Sequence, residues 1–237
     1  MMTRISLDLL KKNVRSVKSR ITNAASSCGR NAKHIQLVSV AKTFPASYTD
    51  MGFSLGLTNF GENRVQEAIQ KIEQLPPLPV TWHFIGHLQT NKARSAANYF
   101  DWIHSVDTEK LLKKLDQASG ELGKTPQVLI QADLAGETTK HGATVDKLRL
   151  LFETGMRCSA LNVRGLMIVP PWNSDPEATR PYFQKLRDIR DTLRLEGFDD
   201  NALGELSMGM SHDFEVAIEE GSTMVRVGTA LFGRRGK

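Results

Sequence analysis

A lysine stands at the end of a short apolar run near the start of the chain. Residues 36–45 read QLVSVAKTFP, so a β-branched stretch typical of a buried strand is followed at once by Lys42 and closed by Pro45. Partial desolvation of an amine favours its neutral form, which attacks aldehydes. Lys42 is therefore a candidate for covalent chemistry with a carbonyl compound. The alternative is an ordinary solvated lysine at a strand end.

Two glycine-containing segments near the other end of the chain have the composition of a phosphate site. They read SMGMS (207–211) and VRVGTALFG (225–233). Gly209 and Gly228 would let the backbone approach an anion, and Ser211 and Thr229 add hydroxyl donors. A lysine combined with such a cradle suggests pyridoxal 5′-phosphate (PLP), which has both an aldehyde and a phosphate. Ser211 could instead only cap the helix predicted after it, while the glycines only turn the chain.

These residues need a scaffold, and strands alternate with helical patterns along the chain. Candidate strands lie at 35–41, 57–60, 82–86, 102–106, 126–134, 162–169, 205–209 and 223–228. Most gaps hold a helical pattern, for example TEKLLKKLDQASGEL. This alternation predicts parallel βαβ units, and eight units favour a (β/α)8 TIM barrel over an open doubly wound sheet. No GxGxxG follows the first strand, which also argues against the open sheet.

An amphipathic helix precedes these units. Leu10, Val14, Val17 and Ile21 recur at steps of four and three, and Ser6 is placed to cap the helix. No Pro/Gly/Ser-rich linker divides the sequence. We therefore expect one domain over residues 1–237.

The carboxyl ends of the strands in such a barrel converge on one mouth. Lys42 follows the first strand, Asn63 the second and His87 the third, while Arg226 lies in the last. The segment WHFIGH looks like a strand and a turn rather than a helix, so we do not expect His83 and His87 to share a face as a metal pair would. We expect His83 to be a hydrogen-bonded interior residue, His87 to lie in a loop near the mouth, and no metal site.

Five segments, taken in order, give the chain a family resemblance. They are SVAKTFP, NFGENRVQEA, WHFIGHLQTNKAR, RGLMIVPPW and LSMGMSHDFEVAIEEGSTMVRVGTALFG. On these segments the chain resembles the PLP-homeostasis proteins of the YggS/PROSC type, which are related to the N-terminal barrel domain of alanine racemase. The resemblance runs almost end to end and implies a fold type III PLP barrel.

The resemblance also assigns residues to the cofactor. Lys42 would form the Schiff base, and Arg226 would face the pyridine nitrogen. The phosphate would be held by Ser211, Gly228 and Thr229, and the pocket lined by Asn63 and Met208. Two departures stand nearby: Ala41 where many members have serine, and Arg64 where many have tyrosine.

The function implied by the resemblance is that of a PLP carrier. Such a protein holds PLP on Lys42, limits the free aldehyde, and hands the cofactor to apo PLP-dependent enzymes. Lys140, in the loop after the fifth strand, is either a second amine for PLP, a charge partner or a solvated residue. The sequence does not decide among these.

The alternative function is a small single-domain amino-acid racemase. A guanidinium at Arg226 can donate a hydrogen bond but cannot deliver a proton, which leaves the pyridine a weak electron sink. Alanine racemase resembles the chain in this respect, so Arg226 alone does not exclude racemisation. That enzyme also takes a tyrosine base from a second domain, and none of Tyr48, Tyr99 and Tyr182 matches its position.

Composition and charge argue against several other classes of protein. The net charge of +5 permits nucleic-acid binding, but acidic residues are interspersed with the basic ones, so we expect none. No apolar stretch reaches the length of a membrane span, and no signal-peptide pattern opens the chain. The two cysteines, Cys28 and Cys158, do not make a disulfide framework. We expect a cytoplasmic protein, monomeric and without a membrane partner.

Overall fold

A computed structural model describes residues 5–136 and 141–233. Within these ranges eight parallel strands pair in sequence order and close into a barrel. The strands are β1 (Gln36–Val40), β2 (Asn59–Glu62), β3 (Thr81–Phe84), β4 (Trp102–Val106), β5 (Gln127–Gln131), β6 (Asn162–Met167), β7 (Glu205–Met210) and β8 (Met224–Val227). Closure comes from β1 against β8, where Val38 faces Arg226 in the register. The predicted TIM barrel is confirmed.

Helices alternate with the strands and surround the barrel. They are α1 (Leu7–Ser27), α2 (Ala46–Ser54), α3 (Val65–Gln74), α4 (Ala93–Tyr99), α5 (Glu109–Leu122), α6 (Val145–Met156), α7 (Arg180–Leu195), α8 (Phe214–Glu219) and α9 (Thr229–Phe232). Short 3-10 turns supplement them. Within the parts of the chain that the structure describes, no helix is both long enough and apolar enough to cross a bilayer.

The N-terminal helix α1 is the predicted amphipathic helix. Ser6 accepts a hydrogen bond from the Leu9 N–H, as expected of its cap. The buried stripe packs α1 against α8 and α9. Arg20 forms a two-point ion pair with Glu215, at 2.5 and 2.7 Å, and the Asn13 amide donates to the Leu231 carbonyl at 2.8 Å. The first helix is thereby tied to the last two.

Two predicted strand boundaries are wrong for identifiable reasons. The second strand was expected at 57–60 but pairs through Glu62, which faces Phe84 of β3. A buried carboxylate breaks the apolar pattern that marks a strand, so the prediction stopped short. The fifth strand was expected to reach residue 134 but ends at Gln131, because the chain turns back to form a bridge between Ala132 and Ala143.

The two faces of the strands differ in chemistry. Outward side chains such as Phe60 and Phe84 join the helices in the main apolar core. The interior holds a small apolar cluster of Leu129, Met167 and Met224. Beside it lie fully buried polar side chains, among them His83, His104 and Ser207. His83 is thus the hydrogen-bonded interior residue that was predicted.

Candidate functional site

Lys42 follows β1 at the barrel mouth, in a short, strained turn. Alternation along β1 places Gln36 and Val38 on the interior face, since Gln36 bonds Asn59 and Val38 packs toward Gly61. Thr43, the next residue, has a φ of 68°, the only positive φ of a non-glycine residue in the described ranges. Such a backbone is costly and persists only where its surroundings fix it. Here Phe44 stacks on Tyr48 with ring centroids 4.7 Å apart.

A buried ion pair fixes the backbone just before Lys42. Lys71 of α3 donates to a carboxylate oxygen of Glu62 and, at 2.7 Å, to the Ala41 carbonyl. Both side chains are almost entirely excluded from solvent. Burial raises the pKa of Glu62, and the charges of Lys71 and Lys42 act against that rise. The Lys42 ammonium therefore lies within electrostatic reach of Glu62.

The loops after β7 and β8 meet through one hydroxyl. The Ser211 Oγ accepts from the backbone N–H of Gly228 and from that of Ala230, each at 3.1 Å. Thr229 opens α9 between these two donors and is exposed. A Cβ on Gly228 would lie 3.1 Å from the Val40 carbonyl oxygen, so a side chain there would press on β1. The sequence had separated these residues by 17 positions, and the structure brings them together.

Ser211 does not cap the helix that follows it in sequence. Helix α8 begins at Phe214 with Asp213 before it, and the Asp213 carboxylate accepts from the Met210 N–H at 2.6 Å. The reading of Ser211 as a cap for this helix is therefore wrong. Its hydroxyl instead accepts hydrogen bonds from two backbone N–H groups at the start of α9. Gly209, with a φ of 90°, allows the close approach, since a Cβ would lie 2.5 Å from that of Ala217.

Arg226 projects into the interior and heads a chain of hydrogen bonds. Its Nη1 donates to the Ser207 Oγ at 2.6 Å and to the Ser207 carbonyl at 2.7 Å, and its Nη2 donates to the Ile168 carbonyl at 2.7 Å. Burial lowers the pKa of Arg226 to about 10, with the charge of Asp213 acting in the opposite sense. The guanidinium thus stays charged at neutral pH.

The chain continues through two buried histidines. Ser207 Oγ lies 2.8 Å from His104 Nδ1, His104 Nε2 lies 3.0 Å from His83 Nδ1, and His83 Nε2 lies 3.0 Å from Asn59 Oδ1. A guanidinium can only donate and an amide oxygen can only accept. With both histidines neutral, the chain runs in one direction, and each imidazole carries its proton on Nε2.

Burial keeps these two histidines neutral. It lowers the pKa of His83 to about 3. It also lowers the pKa of His104 well below the ordinary value of 6.5, and the neighbouring His83 and Arg226 lower it further. Neither residue was predicted as part of a site together with Arg226. The signal that could have found them is a histidine at an inward position of an apolar strand.

The remaining predicted pocket residues lie on different parts of the barrel. The Asn63 side-chain oxygen is buried without a hydrogen-bond partner in the described structure. Gly86 packs on its backbone, since a Cβ there would lie 2.1 Å from the Asn63 carbonyl oxygen. Met208 is fully buried in the main apolar core. Arg64 is exposed and pairs with Glu67 at 2.8 Å. Lys140 lies outside the described residues.

The three tyrosines lie in helices. The Tyr48 hydroxyl, in α2, accepts from the Ile5 N–H at 3.0 Å, and the Tyr99 hydroxyl, at the end of α4, donates to Glu73 at 2.7 Å. Tyr182 lies in α7 and packs against the main core.

Comparisons with known proteins agree with this architecture. A family model described as alanine racemase, N-terminal domain, matches residues 5–236. The pyridoxal phosphate homeostasis protein of Aquifex aeolicus is 44% identical over 219 residues, which are 92% of this chain and 95% of that protein. The solved structure of PipY of Synechococcus elongatus without PLP is 38% identical, with a TM-score of 0.85, covering 94% and 100% of the two chains. The PLP-bound structure of PipY is 36% identical over the same shares of the chains, with a TM-score of 0.83.

Proposed function

Because the chain belongs to the alanine racemase N-terminal domain family and, within it, to the pyridoxal phosphate homeostasis proteins, we propose that it binds PLP and acts in vitamin B6 homeostasis. Binding would be at the barrel mouth. The observation that carries this proposal is the convergence of two backbone N–H groups on the Ser211 hydroxyl, beside strand β1, which Lys42 follows. Effects on amino-acid metabolism would then be indirect, through the supply of cofactor.

The residues present fit the chemistry of PLP. Backbone N–H groups at a helix start, with adjacent hydroxyls, suit a phosphate. The buried, unpartnered oxygen of Asn63 is a polar group that a ligand could satisfy. Gly228 lets the loop after β8 pack directly on the end of β1, because a Cβ there would lie 3.1 Å from the Val40 carbonyl oxygen.

Each group would have a separate task. When bound, PLP supplies an electrophilic aldehyde, and Lys42 supplies the amine that holds it as a Schiff base. Ser211, Gly228 and Thr229 would hold the phosphate. Arg226 would donate toward the pyridine nitrogen. Asn63 would line the pocket, and Met208 would support its wall from the main apolar core.

The interior chain supports a restrained chemistry at Arg226. Since Arg226 stays charged and its partners, Ser207 and the two carbonyls, only accept from it, it offers no proton to the ring. A pyridine that is not protonated is a weak electron sink. This restrains carbanion chemistry but does not by itself separate a carrier from a racemase, because alanine racemase resembles the chain in this respect.

The test of binding is to trap the cofactor. Protein incubated with PLP is reduced with borohydride, digested, and searched by mass spectrometry for a phosphopyridoxyl peptide. We expect the label on Lys42 and its loss in Lys42→Ala. The control Lys33→Ala, which replaces an exposed lysine before β1, should keep the label. Label spread over surface lysines, or retained at the same level in Lys42→Ala, would overturn the assignment.

A second experiment separates carrier from racemase. The PLP-loaded protein is incubated with L-amino acids in deuterated water, and deuterium at Cα is measured against free PLP. A carrier gives no excess exchange, whereas exchange that depends on Lys42 would support the racemase.

The homeostasis role is tested in cells. Deleting the gene should disturb the B6 vitamer and amino-acid pools under B6 stress, and the Lys42→Ala chain should fail to restore them. Unchanged pools would contradict the role. A cytoplasmic location, a monomeric state and delivery to apo-enzymes stay predictions.

A further inference from the structure

Three potential metal ligands meet on the side of the barrel mouth formed by β3, β4 and β5. His87 lies in the loop after β3, Asp107 follows β4 directly, and His141 lies in the loop after β5. Their ligand atoms all lie within 4.8 Å of one another. The imidazoles of His87 and His141 are stacked, with centroids 3.5 Å apart and planes 11° from parallel. The His87 Nδ1 lies 3.9 Å from an Asp107 carboxylate oxygen.

The backbone holds His141 in this place. The Gln131 side chain donates to the His141 carbonyl at 2.6 Å, and the Ala143 N–H donates to the Gln131 carbonyl at 2.8 Å. Gly142, with a φ of 140°, allows the turn between them, since a Cβ there would lie 2.7 Å from the Asp133 nitrogen. His141 is therefore presented from a built turn that returns to the end of β5.

The charges around the cluster suit a cation. Neutral imidazole is the ligating form of histidine. The cluster brings two imidazole rings and one carboxylate together, with a ligand atom of each within 4.8 Å of the others.

We propose that His87, Asp107 and His141 form a site for a divalent transition-metal ion, Zn²⁺ in the first instance. Two nitrogens and one carboxylate oxygen are a usual zinc set, whereas Mg²⁺ and Ca²⁺ take oxygen ligands. The stacked rings must turn relative to one another before both address one ion. His87 has that freedom, because its side chain is 38% exposed.

Three protein ligands leave a coordination position open on zinc. A cavity of about 390 Å³ adjoins the cluster at Asp107 and is lined by Thr108, Gly142, Thr144 and Lys147. A water or a small anionic ligand could complete the coordination from this cavity. The ion would join the loops that follow β3, β4 and β5. It would therefore lie on a different part of the barrel mouth from the Ser211 cradle, which lies between β7 and β8.

The experiment uses the full chain without PLP, so its result does not depend on the proposed cofactor. Zn²⁺ binding is measured by isothermal titration calorimetry at pH 7.5, and Co²⁺ is added in parallel for its visible absorption. We expect one saturable Zn²⁺ per chain, and Co²⁺ bands typical of mixed nitrogen and oxygen ligands.

Variants identify the ligands. His87→Ala, Asp107→Asn and His141→Ala should each weaken Zn²⁺ binding by about tenfold or more, since loss of even an outer-shell partner costs that much. The control His34→Ala removes an exposed histidine that precedes β1, at the end of the barrel away from the mouth. It should bind Zn²⁺ as the parent does. Apo melting temperatures establish that the variants fold. Absence of saturable binding, or equal binding by parent and all three ligand variants, would overturn the proposal.

Discussion

The ammonium of Lys71 lies 2.7 Å from the carbonyl oxygen of Ala41, the residue immediately before Lys42. The same ammonium neutralises Glu62, whose side chain is fully buried. One ion pair behind the barrel wall therefore fixes the backbone from which the proposed cofactor lysine projects.

Lys71→Met should destabilise the protein by about 3–5 kcal/mol, because it leaves the Glu62 carboxylate buried and uncompensated. Urea unfolding measures this loss. Lys110→Met, on an exposed lysine of α5, is the control and should stay within about 0.5 kcal/mol of the parent. The double variant Glu62→Leu/Lys71→Met should lose less stability than Lys71→Met alone, because no buried carboxylate is left without a partner. A cost below about 1 kcal/mol for Lys71→Met would contradict the importance of the pair.

Acid should destabilise the protein through His83 and His104. Their pKa values are lowered in the folded state, so the unfolded chain binds protons that the folded chain does not. The contribution of these two histidines to stability is therefore fully present above pH 6.5 and is lost as the pH drops toward 3. At pH 5 the loss should be about 2 kcal/mol for each histidine.

Denaturant unfolding between pH 7.5 and 5 tests this dependence. The variant His83→Gln/His104→Gln should lose most of the slope, whatever its absolute stability, while His34→Gln should keep it. An unchanged slope in the double variant would show that other groups cause the acid sensitivity.

Ser211→Ala should weaken PLP binding by about tenfold, the worth of one hydrogen bond to a charged phosphate. Affinity for pyridoxal, which has no phosphate, should change little. Fluorescence or absorbance titration with both compounds gives the comparison, with Ser174→Ala as an exposed control. Equal losses for PLP and pyridoxal would mean that Ser211 supports the fold and not the phosphate.

Gly86→Ala should both destabilise the barrel and lower PLP affinity. Its Cβ would lie 2.1 Å from the Asn63 carbonyl oxygen, so the predicted pocket residue must move. Overpacking of this kind costs about 1–3 kcal/mol. Gly120 lies in the last turn of α5, where an added Cβ would meet only the Ala160 Cβ, at 3.6 Å. Gly120→Ala should therefore stabilise the protein by about 0.5–1 kcal/mol. If Gly86→Ala kept the melting temperature and the PLP affinity of the parent, the close packing of Gly86 on the Asn63 backbone would be contradicted.

Local pattern was enough to predict the barrel. The alternation of apolar strands with amphipathic helices is written along the chain, and the Ser6 cap depends only on residues three positions apart. Residue types and spacing singled out Lys42 and the two glycine-containing loops, and the resemblance then assigned their roles. Their roles in binding remain for experiment.

The contacts that join distant segments could not be predicted from local sequence pattern. The Glu62–Lys71 pair places charge where a strand pattern expects apolar residues, and the His83–His104 contact needs the strand register. His87 was predicted near the mouth, but Asp107 and His141 were not predicted beside it. No periodicity signals that three loops will face one another.

The attachment of α1 to α8 and α9 has a consequence for the order of assembly during synthesis. The first helix leaves the ribosome before its partners Glu215 and Leu231 have been translated. Strand β1 likewise waits for β8. The pocket proposed between Lys42 and the last two strands is thus completed only when β7 and β8 have emerged. A nascent chain that stops before them would expose Lys42 without the phosphate cradle, and uptake of the cofactor would report that both strands had been made.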